Sequence, residues 1–172
     1  MVIGKSPSPD SITCLDVSDH EVLTGSADSR IRLYDLRKGQ LISDFMGSPV
    51  SSAKLSNDGQ CVLAGTMGDQ TVRLIDKHSG ELLNEYKGHK NLNYKLESCF
   101  APGDAQVVSG SEDGRLVIWD LIDAKLLTSL AHPLHGRAVH SVAVHPEDYL
   151  VVSAQEGKAF LWGPEDYSED NG

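Results

Sequence analysis

Four side chains near the middle of the chain could take part in acid–base or nucleophilic chemistry. They are His89, Ser109, Asp113 and Trp119. Serine, histidine and aspartate form the catalytic triad of many hydrolases, in which the histidine activates the serine hydroxyl. The same residue types, buried beside an indole N–H, can instead satisfy one another's hydrogen bonds. The sequence has no Gly-x-Ser-x-Gly elbow, so a structural role is favoured over a catalytic one and no catalytic residue is predicted.

The histidines and cysteines are the other side chains that could do chemistry. Four histidines follow in one stretch, His132, His135, His140 and His145, but His132 and His145 each precede a proline in a predicted loop or turn. Zinc sites usually add cysteine or carboxylate ligands that converge with the histidines. The three cysteines form no C-x-x-C pair and lie in apolar segments, as buried structural thiols do. We therefore expect neither a metal site nor a cofactor.

An internal repeat indicates the elements that position these residues. Asp35, Asp76 and Asp120 are 41 and 44 residues apart, and Trp119 and Trp162 are 43 apart. A period of about 40–45 residues is typical of four-stranded propeller blades. Each unit has a strand and a turn, then a strand of small and β-branched residues, then a tight hairpin and a third strand. The hairpins are centred on 28–29, 69–70, 113–114 and 156–157.

This repeated order of strands and turns predicts an all-β fold, a β-propeller of four four-stranded blades. The blades span about 11–47, 48–88, 89–131 and 132–163, between a flexible segment at 1–10 and an acidic tail at 164–172. Too little sequence follows Trp162 for a full fourth strand, so the last blade is expected to be incomplete and the ring partial or unclosed. Small residues in the second strands predict close backbone approach near the propeller axis.

The repeat resembles the WD repeat. In WD propellers, the histidine of a Gly-His pair, a strand serine or threonine, the hairpin aspartate and the strand tryptophan form one buried hydrogen-bond network. His89, Ser109, Asp113 and Trp119 match that pattern, so the resemblance implies that they lock the third blade. The other units keep fragments of the set: Asp28 with Tyr34, Asp69 with Ile75, and Glu156 with Trp162.

A more specific resemblance rests on linked runs in loops as well as strands. The runs include VSDHEVL at 17–23, YDLRKGQL at 34–41 and EYKGHKN at 85–91, with shorter ones at 47–49, 58–61, 74–77, 80–83 and 94–96. Together they are similar to the mitogen-activated protein kinase organizer family of WD-repeat scaffolds. The resemblance implies a seven-bladed propeller that assembles kinase-cascade components, associates with the spliceosome in pre-mRNA splicing, and resides in cytoplasm and nucleus.

Only the last four blades of that family's seven are matched. An unclosed stack exposes strand edges that can pair with another chain, so self-association through the blade edges is expected. The resemblance carries no catalytic residue, and the predicted function is a non-catalytic scaffold for protein–protein assembly. A propeller enzyme is the rival from another class, and it would need convergent perturbed ionisable groups in a pocket.

Several residues are candidates for contact with partners. Glu112 and Gln155 precede hairpin acids and are expected at loops on one rim of the propeller, with His140 near the same rim and Tyr94 as a further candidate. Tyr34, Asp35 and Arg37 resemble the box by which some WD proteins dock to a cullin-type ubiquitin ligase adaptor, which gives a substrate receptor as an alternative function. Ser6, Ser8 and Ser48 each precede a proline, the minimal site of proline-directed kinases.

Composition limits the partners. The chain has 15 Lys+Arg against 25 Asp+Glu, a formal net charge of −10. Phosphate backbones are repelled by such a surface, so direct nucleic-acid binding is not expected and protein partners with basic patches are favoured. No apolar run approaches the roughly 20 residues of a membrane span, and the N-terminus lacks the apolar core of a secretory signal. These features favour the cytoplasm and nucleus and no membrane contact.

Overall fold

The predicted all-β architecture is confirmed. The computed structural model describes residues 10–134 and 136–164. Within these ranges there are fifteen β-strands and one 3-10 turn at Pro102–Asp104, and no α-helix. None of the elements in these ranges is a helix that could cross a membrane.

The strands fall into four antiparallel sheets that follow one another along the chain. The first blade contains β1 (Ile12–Val17), β2 (Glu21–Ser26), β3 (Arg30–Asp35) and β4 (Gln40–Phe45). The second contains β5 (Val50–Leu55), β6 (Cys61–Thr66), β7 (Thr71–Asp76) and β8 (Leu82–Tyr86). The third contains β9 (Ser98–Phe100), β10 (Gln106–Gly110), β11 (Arg115–Asp120) and β12 (Leu126–Ala131). The fourth contains β13 (Ser141–Val144), β14 (Val151–Gln155) and β15 (Lys158–Trp162).

Each sheet keeps its strands in sequence order, as a propeller blade does. Three sheets have four strands, and the last has three among the described residues. The antiparallel order sends successive connections to opposite edges of the stack. In each blade, the turn between the first and second strands and the turn between the third and fourth strands lie at the same edge of the stack. We call this edge the lower rim. The edge with the central hairpins and the links between blades is the upper rim.

The central hairpins form because their residues tolerate a left-handed backbone. In the fourth blade Glu156 and Gly157 have φ of 49° and 73°, and Gln155 pairs with Lys158 across the turn. Two consecutive positive φ values give the type I′ geometry, whose twist matches that of the flanking strands. The sequence therefore places the turn, and the turn fixes the register of the two strands.

The core lies between the blades. Leu23, Leu33 and Ile31 of the first blade pack against Val62 and Ile75 of the second. The two other inner joints are built in the same way, with buried apolar clusters shared by the second and third blades and by the third and fourth. Alternate residues of each strand face the blade before and the blade after, so inner blades are apolar on both faces.

Close approach of neighbouring blades explains the small residues of the second strands. A Cβ added to Gly110 would lie 2.1 Å from the carbonyl oxygen of Val139, the residue that leads into the fourth blade. That distance is far inside van der Waals contact and the obstacle is backbone, so only glycine fits. The prediction of close backbone approach is confirmed at this joint.

Candidate partner-binding surface on the upper rim

The structure brings His89 and Trp119 together but does not link the four predicted residues by hydrogen bonds. The His89 ring packs edge-on against Trp119, with centroids 5.6 Å apart. Trp119 Nε1 donates to the carbonyl oxygen of Lys87 at 2.9 Å, and Ser109 Oγ donates to the carbonyl oxygen of Gly110 at 3.0 Å. Among the described residues, neither ring nitrogen of His89 has a hydrogen-bond partner.

Asp113 pairs with an arginine instead of with His89. Arg115 donates from Nε and Nη2 to Asp113 Oδ2, at 2.9 and 2.6 Å. Burial pushes the pKa of Asp113 upward, but the hydrogen bonds from Arg115 and Ser111 outweigh it and the pKa lies below its ordinary value. A guanidinium fork satisfies a carboxylate better than a single imidazole N–H, which accounts for the difference from the sequence-based expectation.

The first two blades use their hairpin aspartates in the same way. Arg32 Nη2 lies 2.6 Å from Asp28 Oδ2, and Arg73 Nη2 lies 2.6 Å from Asp69 Oδ2. In both blades the arginine follows the aspartate by four residues. The four-residue spacing was the signal that could have revealed the aspartate–arginine pairs of the first two blades from the sequence.

Burial keeps His89 neutral. Removal from solvent lowers the pKa of His89 to about 4, and the nearby charge of Asp113 offsets only part of that shift. With Ser109 hydrogen-bonded to Gly110, the imidazole is not placed against the serine hydroxyl as a general base would be. The geometry of these three residues is that of a packed joint rather than of a nucleophile and its base.

A histidine, serine and tryptophan do share hydrogen bonds in the fourth blade. His132 Nε2 lies 2.7 Å from Ser153 Oγ, and Trp162 Nε1 donates to the same Oγ at 2.7 Å. His132 is fully buried, with its ring edge-on to Trp162. It lies in a loop after β12, as predicted, but its burial and its hydrogen bond were not predicted. The 43-residue spacing from His89 to His132, equal to that from Trp119 to Trp162, was the signal that could have revealed it.

Glu112 and Gln155 are buried, so they are not themselves exposed contact residues. Only 8% of Glu112 and 1% of Gln155 is exposed. Glu112 Oε1 accepts backbone N–H groups from Leu92 at 2.7 Å, from Asn93, and from Tyr94 at 2.9 Å. Burial raises the pKa of Glu112, but these N–H groups outweigh burial and hold the pKa below its usual value. A carboxylate thus fixes the loop that enters the third blade.

Gln155 holds the loop that enters the fourth blade in a similar way. Its Nε2 donates to the carbonyl oxygens of Leu134 at 2.9 Å and Arg137 at 2.6 Å. An amide can donate to carbonyls where a carboxylate cannot, so each side chain matches the backbone groups that its loop presents. Both residues lie on the upper rim as predicted, but beneath the surface.

The loops held by these residues carry the exposed groups. Tyr94 is 53% exposed, and its ring meets that of the exposed His140 edge-on, with centroids 5.3 Å apart. Leu92 and two lysines, Lys90 and Lys95, are exposed on the same loop. We call these five residues the Tyr94 surface. It combines an aromatic and an aliphatic side chain with two exposed lysines, on a chain whose net charge is −10.

The predicted ligase-adaptor box forms part of a lower-rim turn. Asp35 Oδ1 accepts the N–H groups of Arg37 and Lys38 at 2.9 and 3.0 Å. Asp76 and Asp120 make the same turn in the next two blades. The aspartate is thus a recurring feature of the blade turn. Tyr34 is partly buried and Arg37 is exposed beside His20.

Asp35 also lies in a group that could hold a metal ion. One ligand atom each from His20, Glu21 and Asp35 lies within 4.8 Å of the others. Lys77 Nζ lies 3.0 Å from Glu21 Oε2, and Arg37 contacts the His20 ring. Two cations already satisfy this group, which weakens its attraction for a third.

The remaining candidates lie apart from the Tyr94 surface or outside the described residues. Ser48 is partly buried in the link between the first two blades, whereas Ser6, Ser8 and His135 lie outside the described ranges. His145 accepts backbone N–H groups in a lower-rim turn. The described histidines of the late stretch therefore serve three different local structures.

A cavity of about 350 Å³ lies where the inner strands meet. Its lining includes Asp16, Lys54 and Cys99. Lys54 Nζ lies 3.1 Å from Asp16 Oδ1. Burial raises the pKa of Cys99 to about 12, so this thiol stays protonated and unreactive at neutral pH. Cys14 and Cys61 are partly buried, and all three cysteines are unpaired thiols.

Four-stranded blades, acidic central hairpins and ring-packed histidines define a WD-repeat propeller. The profile of the "WD domain, G-beta repeat" family matches residues 4–35, 39–76 and 80–120. These segments cover well over half of the chain. The chain belongs to the WD-repeat family.

The curated relatives point to a narrower family than the repeat profile does. WD repeat domain-containing protein 83 is 47% identical over 95% of this chain in both Rattus norvegicus and Homo sapiens. The homologue from Dictyostelium discoideum is 39% identical over 83% of this chain and 43% of its own length. The family resemblance drawn from the loop runs is confirmed by these relatives. The chain spans about half the length of the rat and human proteins, 51% in each.

Solved structures support the architecture. The crystal structure of the computationally designed Ika4 protein superposes with a TM-score of 0.73 and 27% identity, covering 93% of this chain and 95% of that one. The designed Ika8 protein superposes with a TM-score of 0.72 and 29% identity, covering 90% of this chain but 46% of that one.

Proposed function

We propose that this chain is a non-catalytic scaffold that binds proteins through the Tyr94 surface on the upper rim. The observation that carries the proposal is the way this surface is held. Glu112 fixes three consecutive N–H groups of the loop that displays Leu92 and Tyr94. A surface that is ordered before binding loses less entropy on association.

The chemistry of the surface favours an acidic partner segment with an apolar side chain. Tyr94 and Leu92 supply apolar contact area, and aromatic residues are enriched in interface centres. Lys90 and Lys95 supply positive charge beside them. Acidic segments are the partners that such charges attract. This differs from the preference for basic partners that net charge alone suggests, because local charge at the contact outweighs distant charge in salt.

The family resemblance supplies the partner classes. We propose that they are components of a mitogen-activated protein kinase cascade and splicing factors, met in the cytoplasm and nucleus. The similarity to WD repeat domain-containing protein 83 supports the family, and the loop runs at 17–23, 34–41 and 85–91 support the specific scaffold. The chain covers only half of the length of those relatives. Its partners are therefore expected to be those that can bind these four blades without the rest of the propeller.

The test is affinity purification of the tagged chain from nuclear and cytoplasmic extracts, with bound proteins identified by mass spectrometry. Tyr94→Ala is compared with Tyr149→Ala, a tyrosine of similar exposure, 53% against 61%, on the lower rim. We expect kinase-cascade components or splicing factors with the unsubstituted chain and with Tyr149→Ala, and their loss with Tyr94→Ala.

Two outcomes would contradict the proposal. Recovery of chaperones alone would mean that these four blades lack the scaffold function. Equal binding by both variants would move the contact away from the Tyr94 surface. A Lys95→Glu variant tests whether the recognised segment is acidic. If it is, the substitution should weaken binding in low salt more than in high salt.

A further inference from the structure

The cavity between the first strands opens on the lower rim, the rim opposite the Tyr94 surface. Its volume of about 350 Å³ lies within the range of about 300–1,000 Å³ that is usual for ligand pockets. Apolar side chains make up much of its wall, among them Leu55, Phe100, Pro102, Val144 and Pro146. We call this cavity the inner groove.

The inner groove belongs to the joints inside the stack. Phe100 packs against the buried cluster shared by the second and third blades, and Val144 packs against the cluster shared by the third and fourth. The first strands of all four blades contribute to the wall, together with the turns that follow β5, β9 and β13. The side chains that line the groove are therefore held in place by blade-to-blade packing.

The charges inside the groove are already paired. Lys54 Nζ lies 3.1 Å from Asp16 Oδ1, and Asp16 Oδ2 accepts the N–H of Leu55 at 2.8 Å. Among the described residues that line the groove, Lys54 is the one lysine or arginine. The wall therefore offers a partner apolar contact area but no unpaired cation that would attract an anion.

Four carboxylates lie at the mouth of the groove. Each is within two residues of a residue that lines the groove, in the lower-rim turns of the second, third and fourth blades. They are Asp58, Asp104, Glu147 and Asp148. The one ion pair that any of them makes among the described residues is between Asp148 and the ring of His145, at 3.3 Å. The mouth of the groove is thus negatively charged.

Asp104 shows that these carboxylates are crowded. It accepts the backbone N–H of Asn57 at 2.7 Å and the side-chain amide of Asn57 at 3.0 Å. Burial nevertheless raises the pKa of Asp104, and the charge of Asp58 adds to the shift. A cation close to both groups would favour their ionised forms. A partner that brings positive charge to the mouth therefore relieves a repulsion that is present without it.

We propose that the inner groove binds an extended segment of a partner protein in which a lysine or arginine stands beside an apolar side chain. The apolar side chain enters the groove, and the cation lies among the carboxylates at the mouth. The net charge of −10 attracts such a segment from a distance, whereas phosphate backbones are repelled. The inference is independent of the Tyr94 surface, and together the two rims allow one chain to hold an acidic segment and a basic one.

The first experiment is selection of binding peptides from a random heptapeptide library displayed on phage, with the immobilised chain as the target. We expect enrichment of peptides that carry lysine or arginine next to an aliphatic or aromatic residue. The most enriched peptide is then labelled and titrated by fluorescence polarisation. Replacing its basic residue by glutamine, or its apolar residue by serine, should each weaken binding by about tenfold. Failure to enrich any basic peptide would overturn the proposal.

Two pairs of variants locate the contact. Glu147→Lys reverses a charge at the mouth, and Glu81→Lys makes the same change at an exposed glutamate in the outer turn of the second blade. Glu147→Lys should weaken peptide binding about fivefold in low salt and less in high salt, and Glu81→Lys should have little effect. Asn57→Arg narrows the groove itself and should weaken binding about tenfold at either salt concentration. Gln40→Arg, at an exposed lower-rim residue away from the groove, is its control.

The pattern of losses separates the alternatives. Equal effects of Glu147→Lys and Glu81→Lys would mean that net charge alone attracts the peptide, and that result overturns the proposal. Far-UV circular dichroism checks that the variants are folded, and the exposed Glu147 decides if Asn57→Arg does not fold. Tyr94→Ala should leave peptide binding unchanged, whereas a loss would move the peptide to the upper rim and overturn the proposal. Failure of the scaffold function at the Tyr94 surface is thereby distinguished from failure of the inner groove.

Discussion

At the scale of single residues, two related positions in the third and fourth blades have different hydrogen bonds. Ser153 is shared by His132 and Trp162, whereas Ser109 donates only to the neighbouring carbonyl of Gly110. The residue types at the two sites are the same. The contrast makes the contribution of the shared serine measurable.

Removing the hydroxyl at Ser153 should therefore cost more than removing it at Ser109. Ser153→Ala leaves the buried His132 and the partly buried Trp162 without their acceptor or donor, which costs about 2 kcal/mol or more of unfolding free energy, since an unsatisfied buried group costs about 1–3 kcal/mol. Ser109→Ala should cost about 1 kcal/mol or less. Urea denaturation of both variants measures the difference, and equal losses would contradict the structural account.

The buried imidazoles predict a pH dependence with a definite sign. The pKa of His89 is lowered from 6.5 to about 4 by burial, so the unfolded chain takes up a proton that the folded chain refuses between these values. Stability is complete above pH 6.5 and falls as the pH drops toward 4, by about 3 kcal/mol for this residue. Burial also lowers the pKa of His132, which acts in the same direction.

His89→Phe tests this prediction. Phenylalanine keeps a ring against Trp119 and removes the titration. The variant should lose stability less steeply than the unsubstituted chain between pH 6.5 and 4, as measured by urea denaturation at a series of pH values. Parallel pH profiles would show that His89 is accessible to protons in the folded state.

At the scale of elements, the sequence was sufficient for the strands and their hairpins. The end-of-strand aspartates, 41 and 44 residues apart, and the turn residues at 156–157 determine where strands end, because turns need particular backbone angles. Local chemistry of this kind can be recognised without knowledge of packing.

The hydrogen bonds were not predictable in the same way. Whether Asp113 bonds to His89 or to Arg115 depends on competition between donors that the fold brings within reach. The sequence placed Glu112 and Gln155 beside the central hairpins, where they lie, but could not show that they are buried, because loop length before β9 and β13 decides what covers them. The burial of His132 was missed because a loop residue before a proline is usually exposed, whereas this one is covered by the fourth blade.

The loop of the Tyr94 surface offers an element-scale prediction. Glu112→Ala removes the acceptor of the N–H groups of Leu92, Asn93 and Tyr94, so these amides should lose protection from hydrogen exchange and the chain should lose about 1–3 kcal/mol of stability. Glu112→Gln keeps an oxygen acceptor and serves as the control. Exchange rates measured by NMR would decide, and unchanged protection in Glu112→Ala would show that the loop is held by other contacts.

At the scale of the whole molecule, the blades form a one-dimensional stack in which each joint involves only neighbours. Inner joints bury apolar residues from two blades, and the end faces leave the equivalent residues exposed. The stability of a single chain should therefore depend on the inner joints. The exposed side chains of the end faces should contribute little to it.

Leu63 and Leu161 separate these two contributions. Leu63→Ala empties a fully buried site between the second and third blades and should lower stability by about 2–5 kcal/mol at any protein concentration. Leu161→Ala should change the melting temperature of the isolated chain little, because the side chain is exposed. Thermal melts of both variants beside the unsubstituted chain measure the difference, and equal losses from Leu63→Ala and Leu161→Ala would contradict the account of the inner joints.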